Sequence, residues 1–430
     1  MARILRIAWY CFLILLTGCS SLQSFDSGWL ESILYTPTPV IAKTATPTLQ
    51  PTQPVESVTD QPDPAVVEPG VLRIWLPPQF NPNTNTASAA LLKQRLVNFE
   101  AEHSGLEIEV RIKAEEGEAG LLNSLSITSM AAPNALPDLV ALPRHTLEAA
   151  AQKGLVQSLD GLSTEVDNPD WFPYARNLAE IEGTSYGLPF AGDALVIIYR
   201  PELVWIKTWD DILLSESQLV FAGADPQAQV GLSLYVSAGG ELMDEQGEPT
   251  LDQEILARVL EIFSKGRVAA LFPDAAANIA ADEQVLQEYR ARRAEMAIVH
   301  VSNYRDSQDG LMQPLMGLDE EHLTFATSWM WALAGQNADN QQLAIELAEF
   351  LTDDDFLALW INETGYLPTR RSVLNEVDDT AVPAVIEAAQ PIPSADVLQA
   401  LGPLMQGALV RVMNGEQPEA VARSVVEELR

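Results

Sequence analysis

Tyr186-Gly187-Leu188-Pro189-Phe190-Ala191-Gly192-Asp193-Ala194-Leu195 runs straight into Val196-Ile197-Ile198-Tyr199. Glycine and proline punctuate its first half, and the apolar run from Ala194 to Tyr199 reads as a strand. Working outward toward the N-terminus, Leu72–Leu76 is a short apolar run ended by Pro77-Pro78, a second strand signal. Leu92, Leu96 and Phe99 recur at i, i+4 and i+7, a helix period. Leu106–Ile112 alternates strictly, which predicts a strand with one wet face. A short helix around Leu125–Met130 and a strand over Pro137–Leu142 follow. Strand, helix, strand, helix, strand is the order of an α/β sheet with parallel strands. Working outward toward the C-terminus, Gln218–Ala222 and Ala294–His300 read as strands, with a helix around Gln253–Phe263 between them. The last hundred residues are mainly helical. Leu343, Leu347, Phe350 and Leu351 make one apolar stripe, Leu398, Leu401 and Met405 begin another with Pro403 as a kink, and Val421, Val425 and Leu429 mark a final helix.

The chain of 430 residues is too long for one small core, so two lobes with non-globular ends are expected. Its 25 basic and 60 acidic side chains leave a net charge of -35, which repels phosphate backbones and argues against nucleic acid as a partner. The two cysteines, Cys11 and Cys19, both lie near the start, and there are only four histidines. With no CxxC, HExxH or Walker pattern, neither a metal site nor a cofactor is expected.

Residues 1–18 read as a signal peptide. Arg3 and Arg6 precede the ten apolar residues Ile7–Leu16, too short to span a bilayer. The run ends in Leu16-Thr17-Gly18-Cys19, which looks like a bacterial lipobox and makes Cys19 the lipidated residue; the bland alternative is an ordinary secretory signal with an incidental cysteine. Residues 19–70 are then anchor and linker. Thr36–Gly70 holds eight prolines, too few apolar residues for a core, and reads as an extended stalk on the order of 100 Å long.

The order of motifs over residues 71–430 resembles the bacterial extracellular solute-binding protein family that includes maltose-type sugar binders. The markers are Leu72–Leu76, Asn98-Phe99-Glu100, Pro137-Asp138-Leu139-Val140, the Tyr186–Tyr199 stretch, Thr208-Trp209-Asp210-Asp211, Gly239-Gly240 and Gly365-Tyr366-Leu367-Pro368-Thr369-Arg370. Arg200 stands where the family usually has Asn, and Pro77-Pro78-Gln79 departs from its usual polar edge. The resemblance implies an α/β, two-lobed periplasmic-binding-protein-like fold with crossing hinge strands. Lobe one would comprise about 71–190 plus 301–327, and lobe two about 196–299 plus 328–430, with crossings near 191–195, 300 and 327. It implies a binding component of an ABC-type importer, not an enzyme. Such a protein captures a small polar solute, by expectation a carbohydrate, delivers it to permease subunits, and is held outside the cytoplasm by the lipid on Cys19. The alternative is a surface lipoprotein using the same fold for sensing, adhesion or envelope structure.

The resemblance also supplies site candidates. Asp193 stands where relatives place a carboxylate toward the cleft, against the plain reading of a solvated strand end. Trp329 and Trp331 share one face of an alternating segment, as ligand platforms or as core. Asn303 and Tyr304 follow the strand ending at His300, Tyr366 flanks the Gly365–Arg370 turn, and Arg144 and His145 end the third strand; each has a structural alternative, and Arg370 reads as a brace. Gly183-Thr184-Ser185-Tyr186-Gly187 matches the nucleophile-elbow pattern, but Leu188-Pro189 stands where a helix should start. Glu115 and Glu116 read as solvated.

Overall fold

The computed structural model describes residues 70–307, 310–319, 321–335 and 337–429. The signal segment, Cys19 and the linker up to Pro69 lie outside the described residues.

β1 (Gly70–Leu76), α1 (Ala87–Glu102), β2 (Leu106–Ile112), α2 (Leu121–Ala131) and β3 (Leu139–Pro143) open the fold. β1 lies between β2 and β3, parallel to both. Thr86 caps α1 by accepting the Ala89 N–H at 3.2 Å, and Leu92, Leu96 and Phe99 are buried in the first core. α3 (Arg144–Gln152) starts at the end of β3, and α4 (Pro173–Ala179) leads into a hairpin of β4 (Glu180–Ile181) and β5 (Thr184–Ser185). Its two turn residues, Glu182 and Gly183, both have positive φ, which suits a tight two-residue hairpin. Ser185 therefore sits in a hairpin strand and not at a strand-to-helix elbow.

β6 (Leu188–Tyr199) is buried along its whole length and begins at Leu188, earlier than the apolar run indicated. Pro189 has no N–H to give the sheet. The register of the neighbouring strand slips opposite it, between Trp329 and Met330, which is how a proline is tolerated there. α5 (Trp209–Leu214), β7 (Leu219–Val220), α6 (Gln229–Ser237), α7 (Gln253–Val268), α8 (Asp282–Arg290), β8 (Met296–His300), β9 (Leu311–Pro314) and β10 (Thr324–Leu333) follow. The chain closes with α9 (Ala338–Phe350), α10 (Asp354–Thr364), α11 (Arg371–Leu374), α12 (Val382–Ala388), β11 (Ala389–Pro391), α13 (Ala395–Met413) and α14 (Pro418–Leu429).

The strand order is β2-β1-β3-β10-β6-β8-β7, with β9 on β6 and β11 on β10. Two strands carry the chain from one lobe to the other. The first half of β6 pairs with β10, and its second half pairs with β8 and β9. The second half of β10, Trp329–Leu333, is antiparallel to β3, while its start pairs with β11. One core gathers Leu72, Phe99, Leu142 and Trp360; the other gathers Trp209, Phe221, Phe263, Met405 and Val425.

This pairing reverses part of the expected lobe division. Residues 328–374 belong with lobe one: β10 runs beside β3, α9 packs on β1 and β10, and α10 packs on α1. Residues 311–327 belong with lobe two, because β9 adds to the β8 side of β6 and Leu315, Met316 and Leu323 enter the second core. No crossing occurs near 300, where the chain turns through a 3₁₀ stretch, Val301–Ser307, and returns to the same lobe.

Candidate binding cleft at the crossing strands

A cleft of about 350 Å³ lies where β6 and β10 pass between the lobes. That is within the range of small-molecule sites, and it sits beyond the carboxyl ends of β1 and β3, where open α/β sheets bind ligands. Asp193 and Thr327, facing partners on the two crossing strands, form its floor.

Asp193 is buried, yet its carboxylate is satisfied from lobe two: Ser302 donates its hydroxyl at 2.6 Å and its backbone N–H at 3.1 Å. Burial pushes this carboxyl above the usual carboxylate range, against the opposing pull of His300 and Ser302. Asp193 follows Gly192, which exchanges two backbone hydrogen bonds with Leu367 at 2.9 and 2.7 Å. The adjoining turn places Tyr366. It begins at Gly365, whose φ of 80° ends α10, and is secured by Thr369 on the Pro189 carbonyl at 3.0 Å and by Arg370 on Glu165 at 2.6 Å. Arg370 also lies 4.0 Å over the Trp171 ring, so it is the brace that its sequence position indicated.

The lobe-one wall is aromatic. Phe80 touches Trp329 edge-on at 5.1 Å and Tyr366 at 5.7 Å, and Tyr366 stacks parallel to Trp360 at 6.2 Å. Burial, with Asp193 and Glu115 nearby, raises the Tyr366 hydroxyl pKa against the hydrogen bond it accepts from the Trp329 side chain, so the phenol stays neutral. The rings are thus fixed before any ligand arrives.

The opposite wall is polar. Asp225 accepts the backbone N–H groups of Gln227 and Gln229, and Ala228 between them takes a left-handed φ of 47°, so both amide side chains reach the cleft. His300 Nδ1 lies 2.9 Å from Asp282, whose carboxylate also accepts the Asn303 amide at 3.0 Å. Burial works against the imidazolium, but Asp282 and Asp193 outweigh it and push the His300 pKa up to about 9. Asp282 is correspondingly held below the usual range, although burial opposes this.

Six of the sequence candidates meet in this cleft: Asp193, Trp329, Asn303, Tyr366, Arg144 and His145. Two do not. Trp331 lies behind the wall, 3% exposed and stacked on Phe190 at 4.5 Å, because the strand turns that face into the lobe-one core. Tyr304 packs against the first core and donates to the Gly310 carbonyl at 3.1 Å. Gln227 and Gln229 line the cleft without having been singled out; Gln79, noted at the end of the first strand, lines it too, and Glu115, read as solvated, is part of its wall. The Asp225-Pro226 turn signal before Gln227 was the available clue. Among the described residues, no group of three or more His, Cys, Asp or Glu is arranged to hold a metal ion.

A family model described as bacterial extracellular solute-binding protein matches residues 94–387. No curated protein matches the chain. Among solved structures, the maltose-bound MalE3 of T. maritima is 18% identical, with 84% of this chain and 98% of that one covered at a TM-score of 0.67. The sugar-binding protein MalE of Xanthomonas citri is 17% identical over 84% and 96%, at 0.68. An ABC transporter solute-binding protein of Thermotoga lettingae, bound with α-D-tagatose, is 18% identical over 84% and 98%, at 0.64. At these identities the likeness carries the two-lobed fold.

Proposed function

The chain belongs to the bacterial extracellular solute-binding proteins, a family of binding proteins and not of enzymes, and on that premise we propose that it captures a saccharide between its lobes and delivers it to an ABC-type permease. The observation that carries this reading is the pairing of a rigid aromatic wall, Trp329 and Tyr366, with polar groups on the floor and far wall, Asp193, Asn303, Gln227 and Gln229. A sugar ring has apolar faces that stack on aromatic rings and an equator of hydroxyls that both donate and accept hydrogen bonds. The structural neighbours solved with maltose and with α-D-tagatose bound support the same ligand class. Closure of the lobes around the ligand gives a permease a shape to read.

In this reading Asp193, Asn303, Trp329, Tyr366, Arg144 and His145 form the ligand site, and Cys19 carries a lipid that holds the protein at the outer face of the cytoplasmic membrane. A thermal-shift screen against sugars, peptides and amino acids tests the binding function. A ligand at 100 times its dissociation constant adds about 2.7 kcal/mol of stability, enough to see as a melting shift. A concentration-dependent shift with one sugar class is the expected result, and flat curves across all sugars would sink the carbohydrate reading. For the anchor, radiolabelled palmitate should be incorporated by cells expressing the protein and lost in Cys19→Ala.

A further inference from the structure

We infer that the cleft discriminates against anionic saccharides and that Glu115 is the residue setting this preference, an inference that rests on the carbohydrate reading of the same site. Among the described residues, the basic side chains lining the cleft are Arg144, His145 and His300. Arg144 is already committed. One guanidinium nitrogen donates to the carbonyls of Leu178 and Glu180 at 2.8 and 2.7 Å, another lies 3.5 Å from Glu148, and its Nε is buried. His300 is committed to Asp282. His145 stands 3.7 Å from Glu116 at the outer rim. Each described cation in the cleft thus has a protein carboxylate beside it that offsets its charge.

The acids are arranged differently. Glu148 is matched by Arg144 and Asp193 by Ser302. Among the described residues, Glu115 receives only the neutral amide of Gln79, at 3.1 Å, and it remains half-buried in the cleft wall. Its loop is held closely. Leu121 donates to the Ala114 carbonyl at 2.9 Å and Gly120 to that of Gly117 at 3.0 Å. A Cβ at Gly120 would lie 2.7 Å from the Glu116 backbone, so the loop needs glycine to make this approach. A hydroxyl can donate to the Glu115 carboxylate. A uronate or sugar phosphate instead meets an unneutralised like charge, and rejection of that kind is what separates close ligands.

The test is calorimetry with maltose, cellobiose and galactobiose, each against the same disaccharide oxidised to the uronate at C6. For whichever pair binds, the neutral sugar is expected to bind about tenfold or more tightly, with the gap narrowing at high salt. Glu115→Gln keeps the side-chain shape and should shrink the gap by about threefold or more, while the neutral sugar's affinity changes less. Equal or tighter uronate binding overturns the inference, as does an unchanged gap in Glu115→Gln at wild-type melting temperature. If a neutral sugar binds without discrimination, only this inference fails. If no saccharide of either kind binds, the carbohydrate reading fails with it.

Discussion

Glu148 in α3 accepts the backbone N–H of Ala395, the first residue of α13, at 3.3 Å to each carboxylate oxygen. A lobe-one helix is thereby joined to the start of a 19-residue lobe-two helix across one end of the cleft. The positive end of a helix favours such a carboxylate, and Arg144 at 3.5 Å completes the pairing. Glu148→Ala would leave a buried guanidinium without its counter-charge, so a loss of about 2–4 kcal/mol in urea unfolding is expected. Glu148→Gln keeps the shape and should cost less. A Glu148→Ala protein as stable as wild type would show that the contact between the lobes is not held in solution.

Gly192 is a glycine because Tyr174 fills the space that a side chain would need. A Cβ there would come within 2.1 Å of the Tyr174 hydroxyl, which is itself fixed by the Pro368 carbonyl at 2.8 Å, and within 3.1 Å of Leu367. Gly192→Ala is expected to lose about 1–3 kcal/mol through overpacking. Adding Tyr174→Phe removes the closest clashing atom, and the double mutant should recover part of the loss. Additive costs in that cycle would rule out the steric account.

What could be read from the sequence was local. The alternation of Leu106–Ile112 marked β2 because one face of that strand is wetter than the other, and the stripe of Leu92, Leu96 and Phe99 marked α1. The lobe division was not local. β10 has the same pattern whichever lobe it joins, and only the pairing of Trp329 with Pro143 assigns its second half. The same limit applied at the site. Asp193 and Trp329 stand on crossing strands with recognisable surroundings, whereas Glu115, on a loop, and Gln229, at the start of α6, reach the cleft from places that nothing in their own neighbourhoods connects. Trp331 misled because alternation identifies a shared face but not how deep each residue lies on it: Trp331 is covered by Phe190, while Trp329, two residues earlier on the same face, lines the cleft.

The His300–Asp282 pair makes stability depend on pH. His300 is about a quarter exposed, and its folded pKa of about 9 lies above an ordinary value of 6.5. A raised pKa means that the folded state holds the proton more tightly. The contribution is complete below about pH 6.5 and disappears as the pH rises through about 9. Asp282, shifted down, contributes above its ordinary value and loses that contribution as acid protonates it. Asp193, shifted up, has the opposite sign and favours the fold when protonated. Wild type should therefore lose on the order of 2–3 kcal/mol relative to His300→Asn between pH 6 and pH 9. Parallel stability curves for the two proteins over that interval would show that the pair is not coupled to folding.

Trp329 and Trp331 should separate binding from stability. Trp329 faces the cleft, and its side chain hydrogen-bonds the Tyr366 hydroxyl. Trp331 has a buried Nε1 with no hydrogen-bond partner among the described residues and lies behind Phe190. Trp331→Phe removes an unsatisfied donor and leaves a small gap, two effects that oppose each other, so stability should change by no more than about 1–2 kcal/mol. Ligand affinity should then be untouched. Trp329→Phe keeps an aromatic ring but shortens the platform and frees Tyr366, so affinity for the sugar found in the thermal screen should fall about tenfold. Calorimetry on both variants reads the contrast directly. Equal losses of affinity would mean that the wall acts as one packed unit, and a loss in Trp331→Phe alone would reverse the assignment of the two rings.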